Sequence, residues 1–480
     1  MFAVVMLLVV TSCSKTEQKI ESHIPADAML VAKIDVPTLV KNLGFEVKDN
    51  ALQGTPRVYA ALADLGVNAD EMMGEASKTL NSGIDFSGSA FFYMLKGEND
   101  DHTSVFLLPV KDEAKLLTYL SDEAGVNLED KSGVKVAYTG GTGYALKDGV
   151  LYCAPEKSAD DVVGLVAAPV KAMNTNAEIV KALAPKNDVN VYVNVAQLKE
   201  TLMGALPSAG GSQVQFAKSL LDIMDVKSGA YHLSFADNKC CYSQENVVDD
   251  NSDYAKLAQT ITAEPSADLL PLMPKAANAA VFAVNINGEG IANLDAVKNL
   301  LALAGDSPEM KKMLDIFKSI NGPLNIGVAC ETLSADDLDA VFAFKCGKAS
   351  DLLEMLKQTL PPSMYTVQGD TYVFNEPLNG FKASLTVKGD AVSIKMAAKE
   401  YSDNLASVSE AKSLVGGAVS SVYCTMTLDN KQMLLCLNGK NIKQGDASLV
   451  VTENGKNVTP IEAIAFLVKL SEKVKALSPS

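Results

Sequence analysis

A strand-turn-helix pattern occurs twice in this chain, and it restricts the possible folds more than any other feature. Ser104–Leu120 reads SVFLLPVKDEAKLLTYL and Ala340–Leu356 reads AVFAFKCGKASDLLEML; they align without a gap at an offset of 236 residues. Val105, Phe106, Leu116, Leu117 and Leu120 are identical to Val341, Phe342, Leu352, Leu353 and Leu356. Each copy predicts a buried strand, a short turn and an amphipathic helix. Two further matches keep the same order. Leu30–Ile34 (LVAKI) resembles Ala280–Val284 (AVFAV) at an offset of 250, and Val191–Val195 (VYVNV) resembles Val422–Met426 (VYCTM) at an offset of 231. Offsets that shrink along the chain are expected of a duplicated unit whose second copy has lost loop residues.

Many strand neighbours are joined by short polar or Gly-containing turns, which antiparallel sheets permit and parallel sheets do not. The expected class is therefore α+β: two similar tandem halves, each an antiparallel-rich sheet with helices packed on one face. The first half is placed at 24–266 and the second at 267–480, with the boundary at the Glu264-Pro265-Ser266 turn. Strands are expected at Ala28–Asp35, Ala90–Leu95, Ser104–Val110, Val134–Tyr138, Gly143–Leu146, Val150–Cys153, Val189–Val195, Ala230–Phe235 and Lys239–Gln244. A helix should start at Pro37, and helical stretches should continue to about Leu80. Second-half strands are expected at Ala279–Asn285, Leu324–Ala329, Asp339–Phe344, Phe381–Val387, Ala391–Met396, Ser420–Met426 and Ala447–Val451. The last helix is Pro460–Leu477, capped by Thr459, with Ala463, Leu467, Leu470, Val474 and Leu477 on one face.

The amino-terminal residues carry an address. Phe2–Val10 (FAVVMLLVV) is apolar and uncharged, and too short to cross a bilayer, which takes about 20 residues. It fits the apolar core of a signal peptide. Val10-Thr11-Ser12-Cys13 follows and closely resembles a bacterial lipobox, in which Cys13 becomes the first mature residue and receives the lipid. No Lys or Arg precedes the apolar run, a departure from the usual pattern. Residues 1–12 are thus expected to be a lipoprotein signal peptide, and residues 13–23 a polar tether. Several acyl chains, each contributing about 0.8 kcal/mol per buried methylene, would make a stable anchor. Ser14 in place of Asp argues against retention at the inner membrane.

Composition narrows the function. Hydrophobic residues make up 48% of the 480, enough for sizeable cores. A formal charge of −16 repels phosphate backbones, which argues against nucleic-acid binding. Trp is absent and aromatics total 6%, an unfavourable stock for stacking on sugars. Besides Cys13 there are seven cysteines, without Cys-x-x-Cys spacing; they read as small buried hydrophobes.

No catalytic or cofactor motif stands out. His23, His102 and His232 share no metal-ligand spacing. Ser132-Gly-Val-Lys135 matches a Ser-x-x-Lys pattern but lies in a loop entering a strand. Gly140-Gly-Thr-Gly143 lacks the following helix that would hold a phosphate and reads as a hairpin turn. The acidic pairs Asp100-Asp101, Asp160-Asp161, Asp249-Asp250 and Asp336-Asp337 lack calcium-loop spacing and read as turns and helix starts. Asn457-Val-Thr459 reads as a helix cap. No cofactor or metal is expected.

Cys13-Ser-Lys, Ile24-Pro-Ala-Asp-Ala28 opening a strand, Gly83-Ile-Asp-Phe86 before an antiparallel pair, and Pro274-Lys-Ala-Ala277 leading to Val281–Gly288 resemble Bacteroidota lipoproteins of domain-of-unknown-function family 4836. The resemblance spans nearly the whole mature chain. It implies an envelope location in a Gram-negative bacterium, on an outer membrane, with either face open. It carries no established activity and hence no site residues. The expected role is a non-enzymatic lipoprotein that binds a protein or peptide partner, or serves a structural role. The alternatives are a small-ligand carrier and a hydrolase built on carboxylates.

Overall fold

The computed structural model describes residues 20–96, 102–131, 133–139, 141–155, 164, 166, 171–205, 226–261, 268–295, 297–298, 307–378, 380–398, 420–441 and 443–475. These residues form a mixed α+β protein dominated by antiparallel sheet. It divides into two compact units, split at Val247/Val248, with Val458–Val468 returning to the first. The boundary expected at 266/267 therefore moves forward.

In the first unit, β1 (Leu30–Asp35) runs directly into α1 (Val36–Asn42). Asp35 accepts a hydrogen bond from Thr38 N and Pro37 occupies the first turn, where its missing N–H costs nothing. A hairpin of β2 (Phe45–Lys48) and β3 (Ala51–Gly54) follows, turned by Asp49 and Asn50, both at positive φ. It interrupts the expected helical stretch, which resumes as α2 (Pro56–Asp64) and α3 (Ala69–Leu80). β4 (Ser89–Lys96) and β5 (His102–Pro109) pair, and α4 (Glu113–Ala124) starts from the cap of Asp112 and ends at Gly125 in the left-handed region. The meander is β6 (Glu129–Lys131), β7 (Val134–Thr139), β8 (Thr142–Lys147) and β9 (Val150–Pro155). Then come α5 (Ala177–Leu183), β10 (Val189–Val193), α6 (Val195–Ala205), β11 (Val226–Ser234) and β12 (Cys240–Val248). The antiparallel pairings run β11–β10–β1–β4–β5–β9–β8–β7–β6.

The second unit holds α7 (Asp253–Gln259), β13 (Asn278–Asn287), α8 (Gly288–Ala292), α9 (Pro308–Lys318), β14 (Ile320–Cys330), β15 (Asp339–Cys346) and α10 (Ala349–Thr359). Its remaining strands are β16 (Tyr365–Gln368), β17 (Thr371–Phe374), β18 (Lys382–Lys388), β19 (Ala391–Ala397), β20 (Ser420–Leu428), β21 (Lys431–Asn441), β22 (Gln444–Glu453) and β23 (Lys456–Asn457). They pair antiparallel in the order β23–β22–β21–β20–β13–β14–β15–β19–β18–β17–β16. From β21 to β16 this order follows the same path as β11 to β6. The segments matched at the 236 offset are β5–α4 and β15–α10.

Alternating side chains feed two cores in the first unit. Leu108, Leu146 and Leu151 point toward α1–α4 and pack with Val40, Leu62, Leu80 and Leu116. Phe91, Tyr93, Val105 and Leu107 point the other way, under Ile179, Ala182 and Leu183 of α5. Helices covering one face only was the expectation; the first unit is covered on both. Ile20 and Ile24 are buried in the second of these cores, so residues 20–23, expected in the tether, belong to the folded unit.

α11 (Pro460–Lys475) closes the described chain. Thr459 and Glu462 form a capping box: Glu462 Oε2 accepts from Thr459 N at 2.9 Å, and Glu462 N donates back to Thr459 Oγ1. Ile461 and Ala465 enter the first unit's core, so this helix start, expected in the second half, serves the first. Val474, expected on the buried stripe, is exposed.

Candidate functional site

Cys13, the one residue given a chemical role from sequence, lies outside the described residues, as do the whole signal segment 1–12 and residues 14–19 of the tether. The histidines are dispersed. His102 opens β5 opposite Lys96, where a polar turn was expected. His23 Nδ1 meets the hydroxyl of Tyr152. His232 Nδ1 lies 2.8 Å from Asn190 Oδ1, which also accepts from Asn187 Nδ2, so the ring donates through Nδ1. Beside it, the buried Asp188 accepts from Asn42 Nδ2 at 2.8 Å and from Phe235 N at 2.6 Å. That carboxylate ties α1 to the end of β11. Its oxygens are occupied by donors, which makes it a structural brace.

The cysteines carry no nucleophile signature. Burial pushes the Cys153 thiol up to about 12 and raises those of Cys240, Cys330, Cys424 and Cys436, which keeps them protonated at neutral pH. None of the seven described cysteines is in a disulfide. Among the described residues no group of three His, Cys, Asp or Glu could hold a metal. No described helix is long and apolar enough to cross a membrane.

The other sequence candidates resolve into turns. Thr139 pairs with Thr142 across residues 140 and 141, the hairpin turn that the sequence predicts there. Asp337 accepts from Thr332 N and Oγ1 at 2.8 and 2.7 Å, closing a loop. Ser132, Gly140 and the pairs 100–101 and 160–161 fall outside the described residues. One open groove of about 520 Å³ lies between α3 and α4, but its Glu123 already accepts from Lys78 Nζ at 2.9 Å.

The feature that stands apart is a sheet face. Directly opposed residues on neighbouring strands share a face. In the second unit the registers join Val367, Tyr372, Leu385, Ile394 and Phe342 in one row. The row continues through Ile326, Phe282, Val422, Leu437 and Ala447. Not one polar side chain interrupts it across β16 to β22. One position along the strands, Val284, Phe344 and Val392 are buried with Ile316, Ile320 and Ala349 of α9, β14 and α10. In the other direction the cover stops. Phe282 is 37%, Ile326 40%, Val328 38% and Leu437 38% exposed. The opposite face is closed, with Val281, Ala283, Val341 and Ala343 packed on Leu269, Leu270 and Met273.

The same row exists in the first unit: Ala137, Tyr144, Cys153, Phe106, Phe92, Ala32, Val191 and Tyr231. There each of these side chains is half-buried, and the Phe92 and Phe106 rings meet at 4.6 Å between centroids. The strands of the first row match those the sequence pattern predicts; in the second row β16, β17 and β21, the last carrying Leu437, lie where no strand is predicted. The pattern does not show the exposed patch, because exposure depends on which helices cover which strands.

Contiguous apolar surface of this kind marks interaction sites. From β14 across β13 and β20 to β21 is about 14 Å at ordinary strand spacing. A single α-helix is about 10–12 Å across. Covering each of the four exposed side chains contributes about 1 kcal/mol.

No family model matches the sequence, and no curated protein matches it. Among solved structures, crystal form III of TP0453 is 9% identical over 53% of this chain and 89% of that one, with a TM-score of 0.28. Crystal form I of TP0453 is 9% identical over 47% and 76%, with a TM-score of 0.26. The Helicobacter pylori beta clamp bound to a DNA ligase peptide is 10% identical over 95% and 97%, with a TM-score of 0.10. Likenesses this faint carry no argument about what the chain does.

Proposed function

We propose that this chain is an outer-membrane lipoprotein, acylated on Cys13, that holds an envelope protein partner by one amphipathic helix laid on the apolar face of its second unit. The observation that carries the reading is the uncovered patch of Phe282, Ile326, Val328 and Leu437. Its width suits one helix and is small beside the roughly 800 Å² per partner of a standard protein interface. The lipobox at Val10–Cys13 and the resemblance to the Bacteroidota lipoprotein family support the location. The shared strand path, with the 236 offset placing β5–α4 and β15–α10 on the same elements, supports descent of the two units from one ancestral copy. A duplicated scaffold whose second copy has lost cover over one face suits a binding role better than catalysis.

A photo-crosslinking residue at Ile326, in the native bacterium, tests the reading. A discrete adduct that disappears when Phe282→Asp is added is the expected result. The same adduct from a crosslinker at Val474, or persistence beside Phe282→Asp, would remove the assigned face. The anchor is tested separately by labelled fatty acid, which Cys13→Ser must fail to incorporate.

A further inference from the structure

We infer that β16 is the seam of a weak two-fold homodimer, formed by antiparallel pairing of β16 with the β16 of a second copy. Residue pairs in a hairpin alternate between exchanging hydrogen bonds and not. Gln368 and Thr371 flank the two-residue turn, and Asn375 N donates to Met364 O. Met364, Thr366 and Gln368 therefore turn their backbone groups toward β17. Tyr365 and Val367 turn theirs outward, along an edge where Thr366, Val367 and Gln368 are exposed. A two-fold axis through Thr366 sets Tyr365 opposite Val367 of the second copy, twice, so their outward N–H and C=O groups can exchange hydrogen bonds. Each contact is also an aromatic against a β-branched side chain, a favourable cross-strand pair.

The equivalent edge of the first unit shows what a blocked edge looks like. β6 is Glu129-Asp130-Lys131, all exposed. A two-fold axis through any of its residues sets that charge against its own copy, although the axis through Asp130 also sets Glu129 opposite Lys131 twice. Charge on an edge is a standard guard against strand addition. β16 (Tyr-Thr-Val-Gln) carries no charge, and the neighbouring Met364 and Leu378 are exposed apolar side chains. Self-pairing of β16 thus meets no like-charge contact, whereas every such axis of β6 carries one. A four-residue seam falls well short of the area of a stable interface, so association must be weak and concentration-dependent.

The axis brings two Thr366 Cα atoms to about 4.5 Å, within reach of a disulfide. In purified full chain under mild oxidation, Thr366→Cys should give a reducible covalent dimer, well above the level that wild type shows through its own Cys241. Met364→Cys, exposed but two residues off the axis and so too far from its own copy for a disulfide, should stay at the wild-type level. By sedimentation, the wild-type mass should rise with concentration, and Thr366→Lys should weaken that association by roughly an order of magnitude. Thr366 is exposed and gives up only its bond to Asn375, so the fold should survive both changes. Equal crosslinking from positions 364 and 366, or a monomer mass at every concentration, would overturn the seam.

Discussion

In the first unit the sheet is buried between α1–α4 on one face and α5 with Ile20 and Ile24 on the other. In the second, α9 and α10 cover only one end of the corresponding face, and Phe282, Ile326 and Leu437 stay open beyond it. The strands themselves hardly differ: both rows are apolar and both follow the same antiparallel path. What separates the units is cover. An apolar cross-strand row is therefore compatible with core or with docking surface, and the helices decide which. The edges teach the same lesson, with a charged β6 in one unit and an uncharged β16 in the other.

The largest expected break in the comparison is at the strand-to-helix junctions. β1 passes into α1 through Asp35 and Val36, and β13 into α8 through Asn287 and Gly288, each with a side-chain cap. Val36 fits its place in the first core. At Gly288 a Cβ would stand 2.1 Å from Phe317 O and 2.9 Å from Ile320 O, both rigid backbone atoms. Gly288→Val, the residue of the other unit, should cost more than about 3 kcal/mol. Amide exchange should quicken in β13 and β14 and not in β1 and β4. Unchanged protection in β13 would show that the two junctions are interchangeable.

A smaller effect sharpens the contrast in cover between α4 and α10. Leu116 of α4 is fully buried, whereas Leu352, its identical counterpart in α10, is only half-buried against the second core. Leu116→Ala should lose about 3 kcal/mol of unfolding free energy and Leu352→Ala about 1 kcal/mol. Chemical denaturation of the two variants checks this. Equal losses would mean that α10 is as deeply covered as α4.

Sequence reading went furthest where structure is local. The β5–α4 and β15–α10 segments, the β7–β8–β9 meander and the Thr459 cap follow from periodicity, turn residues and capping chemistry within a few positions. Reading failed where a partner lies far along the chain. The pattern up to Leu80 predicts helical stretches across the β2–β3 hairpin, although Asp49 and Asn50 readily adopt the positive φ its turn requires. Ile20 looked like tether because its core neighbours, such as Met173 and Ile179, lie some 150 residues away. The return of Ile461 and Ala465 to the first unit leaves no local trace. The candidate face was half legible: β13, β14 and β20 follow from their apolar runs, β21 with Leu437 does not, and the exposure reflects missing cover, which no stretch of strand sequence encodes.

The smallest effect concerns pH, and it too separates the units. All three histidines precede Val248, and none lies in the second unit. His232 is half-buried on β11, and burial lowers its pKa below the ordinary value, partly offset by the Glu245 carboxylate, which is itself paired with Lys181 at 3.1 Å. A histidine whose folded pKa is depressed favours the neutral ring. Its contribution is complete above the unfolded pKa of about 6.5 and is lost as pH falls through the folded value. Going from pH 7 to 5.5 should therefore weaken amide protection around β10 and β11. The loss should be below about 1 kcal/mol, because solvent screens a half-exposed ring. His232→Gln keeps a donor for Asn190 but cannot titrate, so the pH-dependent difference between wild type and variant isolates this ring from His23 and His102. β13 and β20 should show no such difference. A variant as pH-sensitive as wild type would place the origin of the effect elsewhere in the first unit.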